Sequence, residues 1–435
     1  MSKTVDEKWY EAYEDRDSDL FTCVHAGVLR FQYTTVDTPL TPAEAVLKLR
    51  EATAEIFRER NEKLPHEQWL APPAGLTPFQ LAQLTMKLYD VAVLSPLDKP
   101  WTPRGCCRAY VYQTDGPDRG LYSNDLYSVF YRIDPGSPFH KMNEATDWLR
   151  VCAKKMRRCV RKDLAPVNNG IFNCRTKKLM PFSPKYVFLT KSAVDYVPDA
   201  VNPVIHNPDD GTDWDVESWI NGLSDDPVAV GCLWRLAGAA VRPHTNWDTV
   251  AALYPEGDGV PGGCGRSSYC KLVRGLSGWG NYMEYPPIDS PLFVPYAHHP
   301  GEERLLEPWH TFALAAIVDE GEMSCSVEDF LSMCYSQVTK YEPRWRRTHD
   351  LSNAFRHHGF HMQCVTVPPV QDSVYFDGKK ILRVPLTKCF KGRERTYIKD
   401  DYVGRREVLE YVLWRALNMG PCGLAELAED GTRGE

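Results

Sequence analysis

A glycine-rich stretch near the middle of the chain carries residues that could bind a phosphate group. Residues 257–265 contain five glycines, counting Gly257 and Gly265 at the two ends. Ser267 and Ser268 follow, and an amphipathic run then extends to Leu276. Glycine lets backbone N–H groups converge on one point, and the N-terminus of a helix adds positive potential there. The pattern therefore predicts a phosphate cradle in front of a helix, although a glycine-rich surface loop would have the same composition.

The stretch matches only part of the P-loop pattern G-x-x-x-x-G-K-[ST]. Gly265 and Ser267 occupy the second glycine position and the hydroxyl position, whereas Val260 replaces the first glycine and Arg266 replaces the lysine. The predicted nucleotide-binding residues in this stretch are Gly262, Gly263, Gly265, Arg266, Ser267 and Ser268.

A second stretch ends in two carboxylates. Residues 313–320 read Ala-Leu-Ala-Ala-Ile-Val-Asp-Glu, which is typical of a buried strand with acids at its carboxyl end. In P-loop enzymes such an acid holds Mg²⁺, and a neighbouring glutamate can polarise the attacking water. The joint pattern favours a nucleotide-binding ancestry, with Ser267 and Asp319 as metal ligands and Asp319 and Glu320 as catalytic residues. An ordinary strand followed by an acidic turn is the alternative.

Length and composition limit the class of protein. A chain of 435 residues predicts two or three domains, and 43% hydrophobic with 25% charged residues is ordinary for a soluble globular chain. No apolar run reaches the roughly eighteen residues of a membrane span, and the N-terminus has no apolar secretion signal. Fourteen cysteines without zinc spacing predict reduced thiols in a cytosol.

The net charge of −7 argues against wholesale coating of nucleic acid, so any such contact must come from local basic patches. One basic run extends from Lys154 to Lys162 on a predicted helix over 143–163. It could be an ordinary solvated helix face or a helix face that contacts DNA. Another is a predicted hairpin in which cations alternate with Tyr341 and Trp345, a pattern that could grip a nucleic-acid backbone or form only a charged turn. Its predicted DNA-binding residues are Arg344, Arg346 and Arg347.

The elements that would position these residues follow from periodicity and capping signals. The clearest is a helix over 41–60, capped by Thr41 with Glu44 completing a capping box. The other predicted elements are a helix over 77–91, short strands over 107–132, a hairpin over 169–184, a loop over 195–213, a helix starting at Trp214, a buried helix over 227–241 and a C-terminal helix over 405–417.

The region from about residue 145 to residue 419 resembles the phage and plasmid primase–helicases that are grouped as superfamily-three helicases. The resemblance rests on "NNGIFNCRTKKLMPFSPKYVFLTK", "DWDVESWINGLSDDPVAVGCLWRLAGAAVRP", the glycine-rich loop, "AAIVDE", "GFHMQC" and "LTKCFKGRERTYIKDDYVGRREVLEYVLWRALNM". It implies an α/β fold with an AAA+-like P-loop ATPase core, a mixed α+β N-terminal region and a C-terminal helical segment. The implied domains are an N-terminal helical region over 1–95, a linker domain over 96–225, the ATPase core over 226–390 and a C-terminal segment with a tail over 391–435.

The resemblance also implies partners and cofactors. Such proteins use ATP and Mg²⁺, assemble as hexameric rings and translocate on single-stranded or replication-fork DNA, together with other replication proteins. A phage- or plasmid-encoded chain of this kind would act in the cytoplasm of a bacterial host. Residues 1–95 show no paired aspartates in an apolar strand, which two-metal nucleotidyl transfer would require, so we do not expect the chain to make primers.

The chain departs from the family at three phosphate-facing positions. Arg266 replaces the cradle lysine, and its planar fork is no substitute for a point ammonium. Thr366 stands where the sensor strand usually ends in asparagine, and Lys379-Lys380 replace an arginine pair expected to act across the ring. The sequence therefore predicts an ATP-dependent DNA helicase with a weakened nucleotide site. The alternative is a hydrolysis-deficient DNA-binding protein that loads or interferes with a related helicase.

Overall fold

The structure of the chain is a computed structural model. It describes residues 19–94, 107–159, 161–242, 249–256, 263–278, 282–284, 315–318, 360–364 and 380–419. Several predicted site residues lie outside these ranges, and their roles stay predictions: Gly262, Asp319, Glu320, Arg344, Arg346, Arg347, Thr366 and Lys379. Two compact units divide the chain, Met1–Arg158 and Cys159–Glu435. The four-part domain division stays a prediction.

The first unit packs helices against a small sheet. Its helices are α1 (Asp19–Thr34), α2 (Pro42–Asn61), α3 (Pro78–Leu88), α4 (Leu126–Ile133) and α5 (Phe139–Cys152). Its strands are β1 (Val91–Leu94), β2 (Arg108–Tyr112), β3 (Tyr122–Ser123) and β4 (Lys154–Met156), in the order β3-β2-β1-β4. β4 runs parallel to β1, whereas β2 is antiparallel to both of its neighbours. One apolar core joins all five helices and β2.

The capping box predicted for α2 is confirmed. The backbone N–H of Glu44 donates to the Thr41 hydroxyl at 3.3 Å, and the backbone N–H of Thr41 donates to the Glu44 carboxylate at 2.8 Å. α3 begins in the same way, since Thr77 and Gln80 form a second capping box. Each box satisfies two backbone donors that a helix start otherwise leaves without partners.

We expect Thr41→Ala to lower the free energy of unfolding of the first unit by about 1 kcal/mol, because one helix donor then loses its acceptor. Thr41→Asp keeps an acceptor and should recover most of the loss. Urea titrations followed by circular dichroism measure the effect. The matched control is Thr38→Ala, because Thr38 is exposed and its side chain caps no helix. Equal losses at Thr41 and Thr38 would contradict the cap's contribution.

Two predictions in the first unit are wrong. Residues 126–133 form α4 rather than a strand, because Leu126, Val129, Phe130 and Ile133 bury one face at helical spacing. Tyr127 and Tyr131 lie on the exposed face of α4. The helix predicted over 143–163 ends at Cys152, and the basic run continues as β4, because pairing with β1 overrides local helix propensity.

The second unit begins with two small antiparallel sheets. The first contains β5 (Leu164–Val167), β6 (Gly170–Asn173) and β7 (Lys178–Met180), and the second contains β8 (Val204–His206) and β9 (Asp213–Asp215). The hairpin predicted over 169–184 is confirmed as β6 and β7. The loop predicted over 195–213 contains β8. Trp214 lies in β9 rather than in a helix, because Asp215 caps the helix that follows.

A five-stranded parallel sheet forms the second part of this unit. Its strands are β10 (Thr249–Pro255), β11 (Tyr282–Glu284), β12 (Ala315–Val318), β13 (Phe360–Cys364) and β14 (Lys380–Leu386), in the order β11-β12-β13-β10-β14. Every neighbouring pair is parallel. The strand predicted over 313–318 is confirmed as β12, an interior strand, although β13 lies in the middle.

Helices cover this sheet and complete its core. They are α6 (Val216–Asn221), α7 (Pro227–Ala240), α8 (Arg266–Ser277), α9 (Thr396–Asp400) and α10 (Arg406–Asn418), with a 3₁₀ turn at Tyr402–Gly404. Trp234 of α7 meets Tyr411 of α10 edge to face with ring centroids 6.5 Å apart, and the Arg415 guanidinium lies 4.2 Å from the Trp234 ring. The buried helix predicted over 227–241 and the C-terminal helix are confirmed. No helix among the described residues is long and apolar enough to cross a bilayer.

Candidate functional site

Two glycines with left-handed backbone conformation lead into α8. Gly263 has φ of 78° and Gly265, the N-cap residue, has φ of 85°. A Cβ on Gly265 would lie 2.6 Å from Leu223 Cδ2, and one on Gly263 would lie 3.1 Å from the backbone nitrogen of Lys391. Only glycine meets both demands without strain. The predicted glycine turn before a helix is therefore present.

The first turn of α8 follows the glycine turn directly. Tyr269 N–H donates to the Gly265 carbonyl at 3.0 Å and so begins the intrahelical ladder. The backbone N–H groups of residues 266–268 precede that bond, and the N–H of Arg266 donates to the Cys264 side chain. Such a helix start, entered through glycines, is suited to an anion.

Arg266 is packed rather than extended into solvent. The residue is only 7% exposed and lies beside the buried Cys264. Burial raises the pKa of the Cys264 thiol, while the charge of Arg266 and hydrogen bonds from its backbone and side chain act in the opposite direction. The guanidinium at the cradle-lysine position therefore contacts the loop itself.

A cavity of about 680 Å³ opens beside this turn. Its walls come from residues 213–222, residues 263–268 and residues 390–399. The volume lies within the range of small-molecule sites, roughly 300–1,000 Å³. The first and third segments supply both aromatic and charged side chains to the cavity walls. The aromatic ones are Trp214, Trp219 and Phe390, and the charged ones are Asp213, Asp215, Arg393, Glu394, Arg395 and Lys399.

The C-terminal segment is tied directly to the glycine turn. Phe390 N–H donates to the Gly263 carbonyl at 2.7 Å, and Lys271 Nζ of α8 donates to the Asp400 carbonyl at 3.3 Å. Farther along, the Tyr397 hydroxyl donates to Asp210 at 2.7 Å. Hydrogen bonds from Thr212 and Tyr397 hold the pKa of Asp210 at about 2. One wall of the cavity is therefore anchored at both ends.

The parallel sheet brings three strand ends to the edge where the glycine turn lies. Val318 of β12 pairs with Gln363 of β13, and Gln363 pairs with Ala252 of β10. Val318 is thus about 10 Å from β10, two strand spacings away. In the sequence, Asp319 and Glu320 follow Val318, and Thr366 lies two residues after the end of β13. Their positions relative to the loop stay a prediction.

Lys380 lies at the amino ends of the strands, opposite the carboxyl ends where the glycine turn lies. It begins β14 and pairs with Thr249, the first residue of β10. The glycine-rich loop leaves the other end of β10, about 20 Å away at 3.3 Å per residue. The Lys380 side chain is therefore too far away to contact a phosphate at the loop of its own chain.

No group of three or more histidine, cysteine, aspartate or glutamate side chains is placed to hold a metal within the described part of the chain. Of the two predicted Mg²⁺ ligands, Ser267 lies at the cavity and Asp319 is outside the described residues. The walls formed by residues 213–222 and 390–399 were not predicted from the sequence. The residues that could have indicated them are Trp214, Trp219 and Phe390, with the basic run that follows Phe390.

Comparison with known proteins adds little. No protein-family model matches the sequence, and no curated protein matches it. An A form apo structure of the NrS-1 C-terminal region aligns at 11% identity and a TM-score of 0.36, covering 83% of this chain and 76% of that chain. A second apo structure of that region aligns at 11% identity and a TM-score of 0.37, covering 79% and 70%. Similarity this weak establishes neither a family nor an activity.

Proposed function

We propose that this chain is an ATP-dependent DNA helicase of phage or plasmid replication with a weakened nucleotide site. The observation that carries the proposal is the glycine turn that opens α8 at the carboxyl edge of a parallel sheet. In open α/β sheets, ligands bind at this edge where the connections of neighbouring strands leave in opposite directions. β10 and β13 are such neighbours. β11, the next strand after β10, lies at one side of the sheet, whereas β14, the next strand after β13, lies at the other side.

The residues at the turn fit the phosphates of a nucleotide. The left-handed glycines allow close approach, and the N-terminus of α8 adds positive potential. A cavity of about 680 Å³ has room for the base and sugar, with indole rings in one wall. Mg²⁺ held by Ser267 and Asp319 would neutralise charge on the phosphates.

Each remaining residue has a role in the proposal. Glu320 orients the attacking water, Arg266 contacts phosphate and Thr366 responds to the phosphate state. Lys379 or Lys380 acts from a neighbouring subunit of a hexameric ring, in keeping with the distance of Lys380 from its own loop. Arg344, Arg346 and Arg347 contact single-stranded or fork DNA. The proposed setting is a bacterial cytoplasm, with other replication proteins as partners.

One observation favours a second function. Arg266 is buried against Cys264, where a cradle lysine would instead be free to reach the phosphates. A chain with this arrangement could keep the fold and its DNA contacts while it hydrolyses little ATP. It would then act as a DNA-binding protein that loads or interferes with a related helicase.

We expect Arg266→Lys to raise ATP turnover by roughly tenfold, which corresponds to about 1.4 kcal/mol of transition-state stabilisation. The ammonium can sit between phosphate oxygens without the bulk of a planar fork. Steady-state hydrolysis with and without single-stranded DNA measures the effect, and Glu320→Gln is the control that should bind ATP without hydrolysing it. Adding Lys380→Arg should act more than additively, because both groups stabilise one transition state.

The same measurements separate the two functions. A parent chain that binds no Mg²⁺–ATP would reject the nucleotide site. A doubly substituted chain that binds ATP and DNA yet hydrolyses no faster than the parent would reject the slowed enzyme and favour the binding protein.

A further inference from the structure

The first unit carries a row of cations on the outer strand of its sheet. β4 pairs with β1 on one side, and no other described strand pairs with its outer side. Lys154 and Lys155 in β4, and Arg157 just beyond its end, are exposed. The register places Met156 of β4 and Arg108 of β2 on opposite sides of Leu94. We call Arg108, Lys154, Lys155, Arg157 and Arg158 the basic edge.

Carboxylates neutralise several other cations of this unit. Arg30 forms ion pairs with Glu55 and Glu59, and Lys141 forms one with Asp134. Lys154, Lys155 and Arg157 form no ion pair or hydrogen bond with any side chain that the structure describes. A solvated face usually mixes both signs of charge, whereas residues 153–162 contain six basic residues and no acidic one.

The other two cations of the basic edge lie close to the same part of the sheet. Tyr110 of β2 is buried, and burial raises the pKa of its hydroxyl. The charges of Arg108 and Arg158 act against that shift, so both guanidinium groups lie within electrostatic range of Tyr110. Tyr110 and Lys154 pair with the same residue of β1, Ala92. Five cations are therefore gathered around the end of one short strand.

We propose that the basic edge binds the phosphate backbone of single-stranded nucleic acid. Lys155 in β4 and Arg157 just beyond the end of β4 are exposed and two positions apart, so their Cα atoms are at most about 7 Å apart. A linear row of this kind can follow a flexible polyanion, whereas duplex recognition places an element in a groove. The net charge of −7 makes the patch a local exception to the field of the whole chain. Phosphate contacts alone carry no base readout.

This site goes beyond the proposed function, since it needs neither ATP nor the second unit's cavity. The test is therefore run on the full chain in EDTA without nucleotide. Fluorescence anisotropy with a labelled single strand of mixed sequence is measured over a salt series for the parent. The same is done for the triple variant Lys154→Thr, Lys155→Thr and Arg157→Thr.

We expect the triple variant to bind at least about tenfold more weakly at low salt. Its slope of log affinity against log salt should fall by about 2, because each lost phosphate contact with a single strand contributes about 0.7. A charge-preserving variant, Lys154→Arg, Lys155→Arg and Arg157→Lys, should bind within about threefold of the parent. That result separates loss of charge from loss of fold.

The matched control removes three exposed cations of the same unit, with Lys48→Ala, Arg58→Ala and Lys63→Ala. Carboxylates lie near them, since Lys48 affects the pKa of Glu44, and Arg58 and Lys63 affect that of Glu59. We expect this variant to keep the parent's affinity and salt slope.

Four results would overturn the proposal: a parent that binds no single strand at low salt, an unchanged affinity in the basic-edge variant, an equal loss in the control, or tighter binding of a duplex. Single-stranded DNA and RNA should bind within about threefold of each other. Strong discrimination between them would mean that the contact reads more than phosphates. If the chain failed to bind ATP in a separate assay, the conclusion about the basic edge would not change, because the strand-binding assay contains no nucleotide.

Discussion

Gly265→Ala is expected to lower the affinity for Mg²⁺–ATP at least tenfold and to destabilise the second unit by about 1–3 kcal/mol. The residue has φ of 85°, which an L side chain rarely adopts, and a Cβ there would lie 2.6 Å from Leu223 Cδ2. Relief of that contact moves the start of α8 and hence its backbone donors. A fluorescent ATP analogue and urea titrations measure the two effects.

Two further variants make this prediction specific. Gly231→Ala lies in α7 with no atom within 4 Å of the added Cβ, so it should leave binding unchanged and stabilise the helix by about 0.5–1 kcal/mol. Gly265→Ala combined with Leu223→Ala removes the contact but keeps the unfavourable φ. It should therefore recover only part of the affinity. Parental affinity in the Gly265 single variant would show that the turn does not shape the site.

Asp134→Ala is expected to destabilise the first unit by about 3 kcal/mol or more, because it leaves a charge buried without its partner. Lys141 is 6% exposed, and its Nζ lies 2.8 Å from Asp134 Oδ2. Ser137 Oγ donates to the same carboxylate oxygen at 2.6 Å. These bonds join the end of α4 to α5. Urea unfolding followed by circular dichroism measures the loss.

The double variant Asp134→Ala with Lys141→Met tests the cause. Methionine has no charge to leave uncompensated, so the double variant should be more stable than Asp134→Ala alone. Additive losses would mean that the pair is not coupled.

The same pair gives a pH dependence with a definite sign. Burial alone would raise the pKa of Asp134, but hydrogen bonds from Lys141 and Ser137 outweigh it and lower that pKa. Because the folded-state pKa is the lower one, the stabilisation is fully present above the unfolded value of about 3.9 and is lost as the pH falls through the folded value. The parent should therefore lose stability below about pH 4 more steeply than the double variant.

Local signals in the sequence were sufficient where neighbouring residues alone decide the conformation. Thr41, Pro42 and Glu44 predicted a helix start that the structure reproduces in every hydrogen bond. The turn before α8 was equally predictable, because only glycine tolerates the left-handed backbone at Gly263 and Gly265. These features depend on residues a few positions apart, so no knowledge of the rest of the fold was needed.

Tertiary contacts decided what the local pattern left open. The run that begins at Lys154 was predicted to be helical, yet Lys154–Met156 form an edge strand because β1 offered a backbone to pair with. The sequence alone predicted the glycine turn before α8, the strand before Asp319 and the departure from the P-loop pattern at Arg266. The cavity walls at 213–222 and 390–399, the burial of Arg266 against Cys264 and the placement of Lys380 at the opposite sheet edge came only with the fold. The two cavity walls, and β10 with β14, are segments more than a hundred residues apart, and no local propensity records which distant surfaces will meet.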